Sequence, residues 1–334
     1  YTASGATITA SCTDTTCTSP NGGSVTIKAP AELTYSGEGK PATVTASSDW
    51  QGPAASEITI SYIKSGKYIQ QLENGALPTK AGEYTASITV GEATASVTYT
   101  IGKATPKAED FTFTAPTSLT YDGNVKSATV SSAKAGTGDV IVKYYDKDGE
   151  EATPKNAGEY TVKIDVAEST NYAAANGLTA DGWKFSITKA AAPAAETGSL
   201  TVTNGTQLTY TYDFKQLLPE APNGDYGTVR YDLGNRQTAI NFTAHGYYLD
   251  PEIAEFEGSK LTLVGLYAKD GTATGQIGTV KVNVTTTNYE NFQLTLVLNA
   301  VNQIKPTPDG EITAAEITYG DALTDRSSVA DTAA

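Results

Sequence analysis

The sequence contains no methionine, one histidine, two tryptophans and two cysteines among its 334 residues. Long stretches of Leu, Ala, Glu and Lys at helical spacing are missing, which is unusual for an α/β enzyme. No apolar run approaches the roughly 20 residues that a membrane-spanning helix requires. The sequence therefore argues against a helical protein and against direct membrane insertion.

Basic residues are also scarce, because 23 Lys and Arg stand against 37 Asp and Glu, for a net charge of −14. Binding to nucleic acid needs clustered Lys and Arg that neutralise phosphates, and an electrostatic anchor on anionic membranes needs the same. Neither is expected here. An acidic surface instead keeps a secreted protein soluble.

The residues that are abundant favour β-structure. Tyrosine (20) far outnumbers phenylalanine (7), and threonine is frequent. Thr and Tyr pack well on a half-buried pleated surface, and Tyr keeps a polar tip for water. The length suits two to four modules of ordinary size. The chain begins at Tyr1 without methionine or a signal-peptide pattern, which is typical of a mature fragment.

The two cysteines, Cys12 and Cys17, lie five positions apart. A zinc site usually has four ligands, and the single His245 is far away in the sequence. A catalytic thiol needs a nearby base, and none is evident. The spacing predicts a local disulfide across a loop, and hence an oxidising compartment.

Internal repetition is the strongest signal. Leu33-Thr-Tyr35-Ser-Gly37 matches Leu119-Thr-Tyr121-Asp-Gly123, and further on Lys80-Ala-Gly-Glu-Tyr84 matches Asn156-Ala-Gly-Glu-Tyr160. Both copies end on a Lys-Ala pair, and the Lys-Ala-rich ends at 103–108 and 189–195 are predicted to be short linkers. A third unit starts near Glu196 and carries Thr287-Asn-Tyr289, which echoes Thr170-Asn-Tyr172.

These matches divide the chain into five parts. We expect a remnant of a preceding module or strand with the Cys pair at 1–24, a first repeat at 25–105 and a second repeat at 106–192. A larger, diverged β module follows at 193–305, and the truncated, loose start of a further repeat at 306–334.

Within the repeats, side chains alternate with a period of two. Tyr160, Val162, Ile164 and Val166 lie on one face of a predicted strand, and polar residues lie on the other. Turn signals every ten or so residues favour tandem immunoglobulin-like β-sandwich modules in an all-β chain. A β-grasp-like module is the alternative, but it needs a helix across the sheet. The only helix-like stretch is short, near 214–218, and a proline ends it.

The Ala-Gly-Glu-Tyr segments resemble the tyrosine corner of immunoglobulin-type domains, in which a Tyr at the start of a strand hydrogen-bonds back across a loop. That resemblance implies structural roles for Tyr84 and Tyr160. The pattern Leu-Thr-Tyr-Asp-Gly followed by Asn-Ala-Gly-Glu-Tyr-Thr-Val resembles the MBG/YDG-type repeats of cell-surface proteins from Gram-positive gut bacteria. The resemblance covers residues 25–190 best. It implies that Tyr35 and Tyr121 are scaffold residues, and it does not specify a function.

A search for chemistry finds little. Most acidic residues lie in predicted turns, where Asp or Asn before Gly is typical. Asp146-Lys-Asp148-Gly-Glu150 begins like a calcium loop, but the twelfth position is Ala157 rather than Glu. His245 has no Gly-x-Ser-x-Gly partner motif, and a solvated loop residue is the simpler interpretation. We therefore expect no enzymatic activity, no catalytic residue, no cofactor and no metal.

Exposed aromatics are the remaining candidates for binding, because sugars stack on Trp and Tyr. Trp50, Tyr247 and Tyr248 are predicted on loops, whereas Trp183 is predicted in a core. The leading hypothesis is a monomeric, non-enzymatic stalk of a bacterial extracellular protein, attached to the cell surface or cell wall, that presents adhesive or other domains. The alternative is an adhesin or carbohydrate-binding module whose partners are host or dietary glycans, mucin or host surface proteins.

Overall fold

A computed structural model describes residues 1–303 except 13, 15, 18–20, 67–69, 74, 206, 250–253 and 269–270. The further repeat predicted at 306–334 lies outside the described residues. The chain is all-β and consists of tandem immunoglobulin-like β-sandwich modules. Two compact units are present. The first comprises the described residues of 1–194, 219–230 and 284–292, and the second comprises the described residues of 195–218, 231–283 and 293–334.

The first sandwich occupies residues 1–101. Its strands are β1 (Thr2–Ser4), β2 (Thr7–Ser11), β3 (Asn21–Lys28), β4 (Thr43–Ala46), β5 (Ile60–Lys64), β6 (Gln70–Gln71), β7 (Gly82–Val90) and β8 (Ala93–Ile101), with a 3-10 turn at Ala55–Glu57. They form two sheets of order β1-β2-β3-β4 and β6-β5-β7-β8. All neighbouring pairs are antiparallel.

The core of this sandwich lies between the two sheets. Alternation along β7 buries Tyr84, Ala86 and Ile88, which pack in one cluster with Ile8 and Ile27 of the opposite sheet. Because β2 pairs with β3 and contributes to this core, residues 1–24 are part of the first sandwich. The structure thus differs from the expected separate remnant.

The second sandwich follows the same plan with fewer strands. They are β9 (Phe111–Thr114), β10 (Thr129–Ser132), β11 (Val140–Tyr145), β12 (Gly158–Val166), β13 (Ala175–Leu178) and β14 (Lys184–Ile187), after a 3-10 turn at Ala108–Asp110. β9 pairs with β10, and β12 lies between β11 on one side and β13 and β14 on the other. As the period of two predicts, the four alternate apolar residues of β12 are buried.

Residues 197–301 supply the remaining strands. They are β15 (Thr197–Thr203), β16 (Gln207–Asp213), β17 (Val229–Asp232), β18 (Ile240–Phe242), β19 (Ala254–Glu257), β20 (Lys260–Tyr267), β21 (Gly275–Thr286) and β22 (Phe292–Val301). One sheet has order β15-β22-β21-β17 with β18 also on β21, and the other has order β16-β20-β19. Unlike every other strand pair described, β15 and β22 are parallel.

In the part of the chain that the structure describes, helical structure is confined to short turns. The stretch predicted near 214–218 is a 3-10 turn, Phe214–Leu217, and the Asp213 carboxylate caps it by accepting from Lys215 N–H. A four-residue α-helix, α1 (Arg236–Ala239), is capped by the Asn235 side chain. Among the described residues, no helix has the length and apolar character needed to cross a membrane.

Candidate functional site: a repeated module junction

Two matching clusters of contacts lie within the first unit, and each begins at a tyrosine corner. The Tyr84 hydroxyl donates to Lys80 O at 2.9 Å, and the Tyr160 hydroxyl donates to Asn156 O at 3.0 Å. Burial raises the pKa of both phenols. Each tyrosine thereby fixes the short loop that precedes its strand, and the loop's amides are held in place.

The fixed loop donates one of these amides to an asparagine that comes from later in the chain. Ala81 N–H donates to Asn171 Oδ1 at 3.1 Å, across 90 residues of sequence. Ala157 N–H donates to Asn288 Oδ1 at 3.0 Å, across 131 residues. We call the contacts around Asn171 the first junction and those around Asn288 the second junction.

The Lys-Ala pair that ends each repeat is part of its junction. Ala104 N–H donates to Asn171 O, and Ala104 O accepts from Ala173 N–H, both at 2.9 Å. Ala190 makes the same two bonds in the second junction, also at 2.9 Å. These bonds form short parallel bridges. Both the N–H and the C=O of the connecting alanine are therefore hydrogen-bonded.

The lysine of each pair bonds a carbonyl of the incoming loop. Lys103 Nζ donates to Ser169 O at 2.7 Å, and Lys189 Nζ donates to Thr286 O at 2.8 Å. Lys103 also pairs with Glu168, which holds the pKa of that carboxyl below its ordinary value. A charged donor on a main-chain carbonyl makes a stronger hydrogen bond than a neutral donor does.

The incoming loop has the same internal turn in both junctions. The Ser169 hydroxyl accepts from Tyr172 N–H at 3.2 Å, and the Thr286 hydroxyl accepts from Tyr289 N–H at 2.9 Å. Such side-chain-to-backbone bonds are how Ser and Thr stabilise turns. We call Ser169–Tyr172 and Thr286–Tyr289 the docking loops.

The tyrosine of each docking loop packs edge-on against the tyrosine of the Leu-Thr-Tyr motif. Tyr35 and Tyr172 have ring centroids 5.3 Å apart at 77°, and Tyr121 and Tyr289 have centroids 5.5 Å apart at 73°. Edge-to-face pairs of this geometry are favoured by the ring quadrupoles. The resemblance implies structural roles for Tyr35 and Tyr121, and this ring contact is the one that the two residues share.

The second junction has an additional set of contacts from residues 219–230. The Tyr121 hydroxyl donates to Asp225 O at 3.0 Å, and Asn223 N–H donates to the Tyr289 hydroxyl at 2.7 Å. Gly123 has a φ of +77°, and a Cβ at this position would lie 2.2 Å from Asn223 O. Only glycine suits this position, because of both its backbone angle and the close approach.

The aromatics proposed for ligand binding have different environments. Trp50 is half-buried against the core of the first sandwich, and its Nε1–H donates to Pro53 O at 2.8 Å. Tyr247 is only 7% exposed and its hydroxyl bonds Asn204 and Ala273, so the expectation that it presents an open face is wrong. Tyr248 is 62% exposed. Because Tyr247 is buried, Tyr248 and Tyr247 do not present a shared open aromatic face.

The structure also shows the environments of the two cysteines, Trp183 and His245. Cys12 and Cys17 form a disulfide, and Trp183 is buried and stacks on Phe113. His245 is exposed. Within the described residues, no group of three or more His, Cys, Asp or Glu side chains is placed to bind a metal ion.

Sequence reasoning finds the Thr-Asn-Tyr echo but assigns it no role, and it treats the Lys-Ala ends as plain linkers. Asn171 and Asn288 are the functional residues that it misses. A usable signal is present, because an Asn-Tyr pair recurs in two modules that otherwise differ and a Lys-Ala pair precedes each module.

Comparison with known proteins finds no matching family model and no matching curated protein. Among solved structures, the chain resembles three immunoglobulin domains of titin, I67–I69, with a TM-score of 0.27, 11% identity and coverage of 90% of this chain and 100% of that one. The chain also resembles Sidekick-1 immunoglobulin domains 1–5, with a TM-score of 0.27, 11% identity and coverage of 84% of this chain and 59% of that one. For extracellular domains 3–5 of Drosophila OTK, the TM-score is 0.25 and the identity is 14%, with coverage of 82% of this chain and 96% of that one. Similarity at this level carries no argument about function.

Proposed function

We propose that this chain is a non-enzymatic spacer in a bacterial extracellular surface protein, where it holds other domains away from the cell. One observation carries the proposal: the same junction is built twice in one chain, from the same residue types in the same roles. A repeated junction of this kind joins modules in a defined direction.

The junction matters because independently folded modules joined by a free linker normally move relative to one another. Here the linker residue Ala104 has both its N–H and its C=O bonded, and the neighbouring lysine is bonded through its side chain. Little backbone freedom remains at the point where a hinge would lie. We therefore expect the first and second sandwiches to keep one relative orientation in solution.

The extracellular and bacterial parts of the proposal have separate support. A disulfide persists in oxidising compartments, and a net charge of −14 favours solubility outside the cell. The resemblance to MBG/YDG-type repeats favours attachment to a Gram-positive cell surface. On intact cells that express the protein, external protease should release the chain, and complete protection would exclude a surface location.

Spacer function is tested by measuring the distance between modules. Spin labels at Glu92→Cys and Asp148→Cys occupy exposed turns of the first and second sandwiches, and the native cysteines are already paired. Double electron–electron resonance should give one narrow distance distribution. The Asn171→Ala/Tyr172→Ala variant should broaden it, whereas Asn176→Ala, on an exposed residue of β13, should not. A broad distribution in the unmodified sequence would overturn the proposal.

A second candidate function rests on Tyr248. Its side chain is 62% exposed, as a side chain that stacks on a sugar must be. A glycan array or mucin pull-down that shows robust binding, abolished by Tyr248→Ala, would favour an adhesive or carbohydrate-binding module. Tyr247→Phe is the matched control, because that ring is buried.

A further inference from the structure

The two docking loops come from modules that differ in architecture. The first connects β12 to β13 in a sheet whose described pairs are all antiparallel. The second connects β21 to β22, in a sheet that contains the parallel pair β15–β22. The sheets that carry the two loops therefore differ, whereas the loops themselves make the same hydrogen bonds.

The sequences next to the loops differ as well. Glu168 and Ala173-Ala174 flank the first loop, whereas Thr285 and Glu290-Asn291 flank the second. The loops read Ser-Thr-Asn-Tyr and Thr-Thr-Asn-Tyr, so within them only the first residue differs, and it keeps its hydroxyl. Similarity is thus concentrated in four residues.

Three of these four positions make the contacts shared by both junctions. The hydroxyl residue closes the turn and offers its carbonyl to the linker lysine, the asparagine accepts the loop amide, and the tyrosine packs on its partner ring. The second position has no shared role. Thr170 is exposed, whereas the Thr287 hydroxyl accepts from Thr228 N–H at 3.1 Å within its own junction.

The surface that receives the loop is equally compact. In the first junction it consists of the Tyr35 ring, the Ala81 N–H and the Lys103-Ala104 pair. Two of these four groups act through the backbone, and a third bonds a main-chain carbonyl. Such a surface recognises the backbone shape of a loop and two of its side chains. It makes no use of the fold of the module that carries the loop.

We propose that this surface is a docking site for a Ser/Thr-x-Asn-Tyr loop, and that it accepts such a loop from any β module that follows the Lys-Ala pair. The inference rests on the proposed spacer function, and it names the partner that the spacer's junction recognises. The two loops bound in this chain come from a close repeat and from a diverged module, so sequence similarity between modules is not required.

Docking at this site has a direction along the chain. In the first repeat, β7 and β8 are joined by the two-residue turn Gly91–Glu92, where the second repeat has the docking loop. The first repeat thus presents the receiving surface without a loop of this kind, and the second repeat has both. Docking therefore runs from a receiving surface to the loop of the module that follows.

The test exchanges the loops in the full chain. Residues 168–174 are replaced by the sequence of residues 285–291, Thr-Thr-Thr-Asn-Tyr-Glu-Asn, in the chain that carries labels at positions 92 and 148. The narrow distance should be unchanged, because every shared contact can form. Adding Asn171→Ala/Tyr172→Ala to the exchanged loop should broaden it. A broadened distribution with the exchanged loop, in a chain whose amide spectrum shows both sandwiches folded, would overturn the proposal.

A second variant decides the matter if the exchanged chain does not fold. Glu168→Thr/Ala173→Glu/Ala174→Asn keeps the native docking loop and alters only its flanks. An unchanged distance supports recognition of the four residues, and a broadened one refutes it. Failure of the spacer function is distinguishable from both results, because it would already show as a broad distribution in the unmodified sequence.

Discussion

Replacing Asn288 by alanine should open the second junction while leaving the sandwich next to it folded. Asn288 is fully buried. Its Oδ1 accepts from Ala157 N–H at 3.0 Å, and its Nδ2 donates to Asn156 Oδ1 at 3.1 Å and to both Asp225 O and Asp225 Oδ1 at 3.2 Å. No other side chain of the junction makes as many polar contacts.

The magnitude follows from what the substitution leaves behind. A partly buried donor, Ala157 N–H, loses its acceptor, which costs about 1–3 kcal/mol. The bonds donated by Nδ2 contribute about 1 kcal/mol more. A total of about 2–4 kcal/mol corresponds to roughly a 30- to 700-fold increase in local opening. Asn171→Ala, at a half-buried residue with a 3.1 Å bond, should cost about 1 kcal/mol.

Amide hydrogen exchange measures this opening directly, because junction amides exchange when the junction opens locally. Ala157, Ala190 and Glu290 N–H should exchange faster in Asn288→Ala by the factor given above. Amides in the middle of β12, such as that of Ile164, should keep their native rates. Asn176→Ala, at an exposed residue, is the matched control and should change none of these rates.

Two outcomes would contradict this reasoning. Unchanged exchange at Ala157 and Ala190 would mean that the Asn288 side chain does not hold the junction. Uniformly faster exchange throughout β12 would mean that the substitution unfolds the sandwich rather than opening its junction.

Three further predictions concern the sandwiches. Tyr160→Phe removes the bond to Asn156 O but keeps the ring, and it should cost the second sandwich about 1 kcal/mol in the free energy of unfolding, measured by urea denaturation followed through Trp183 fluorescence. Asp165 is bonded to Lys143 at 2.8 Å, which holds the pKa of its carboxyl below the ordinary value of 3.8. The stabilisation from this pair should be fully present above about pH 4 and should be lost as the pH falls through the depressed value, and Asp165→Asn should remove that part of the pH dependence. Reduction of the disulfide, whose cysteines are five residues apart, should cost the first sandwich about 2 kcal/mol, as judged by its urea midpoint.

Each of these predictions has a clear contrary result. An unchanged urea midpoint for Tyr160→Phe would show that the tyrosine corner contributes nothing beyond ring packing. A pH profile of Asp165→Asn that is parallel to the original would exclude the Lys143 pair as the source of acid sensitivity. Loss of stability in the second sandwich on reduction would show that the disulfide does not act locally.

Much of the fold could be predicted from local patterns. The alternation of Tyr160, Val162, Ile164 and Val166 predicts a strand with one buried face, and the structure confirms it because side chains alternate across a strand whatever its neighbours are. The local Cys12–Cys17 disulfide follows in the same way from a spacing of five residues. The pairing of β2 with β3, by contrast, was missed, because an eight-residue strand that begins at Asn21 crosses the expected boundary at 24.

Local sequence patterns are sufficient to predict the secondary-structure class, the repeat and the tyrosine corners, since each depends on residues close together in the chain. The burial of individual side chains and the junctions depend on long-range contacts. Tyr247 and Tyr248 are adjacent, yet one is buried and the other is exposed. The junctions bring together Tyr35, Ala81 and Asn171, which are far apart in sequence. Which surfaces meet there depends on how one module's end faces the next module's loop, and no local pattern carries that information.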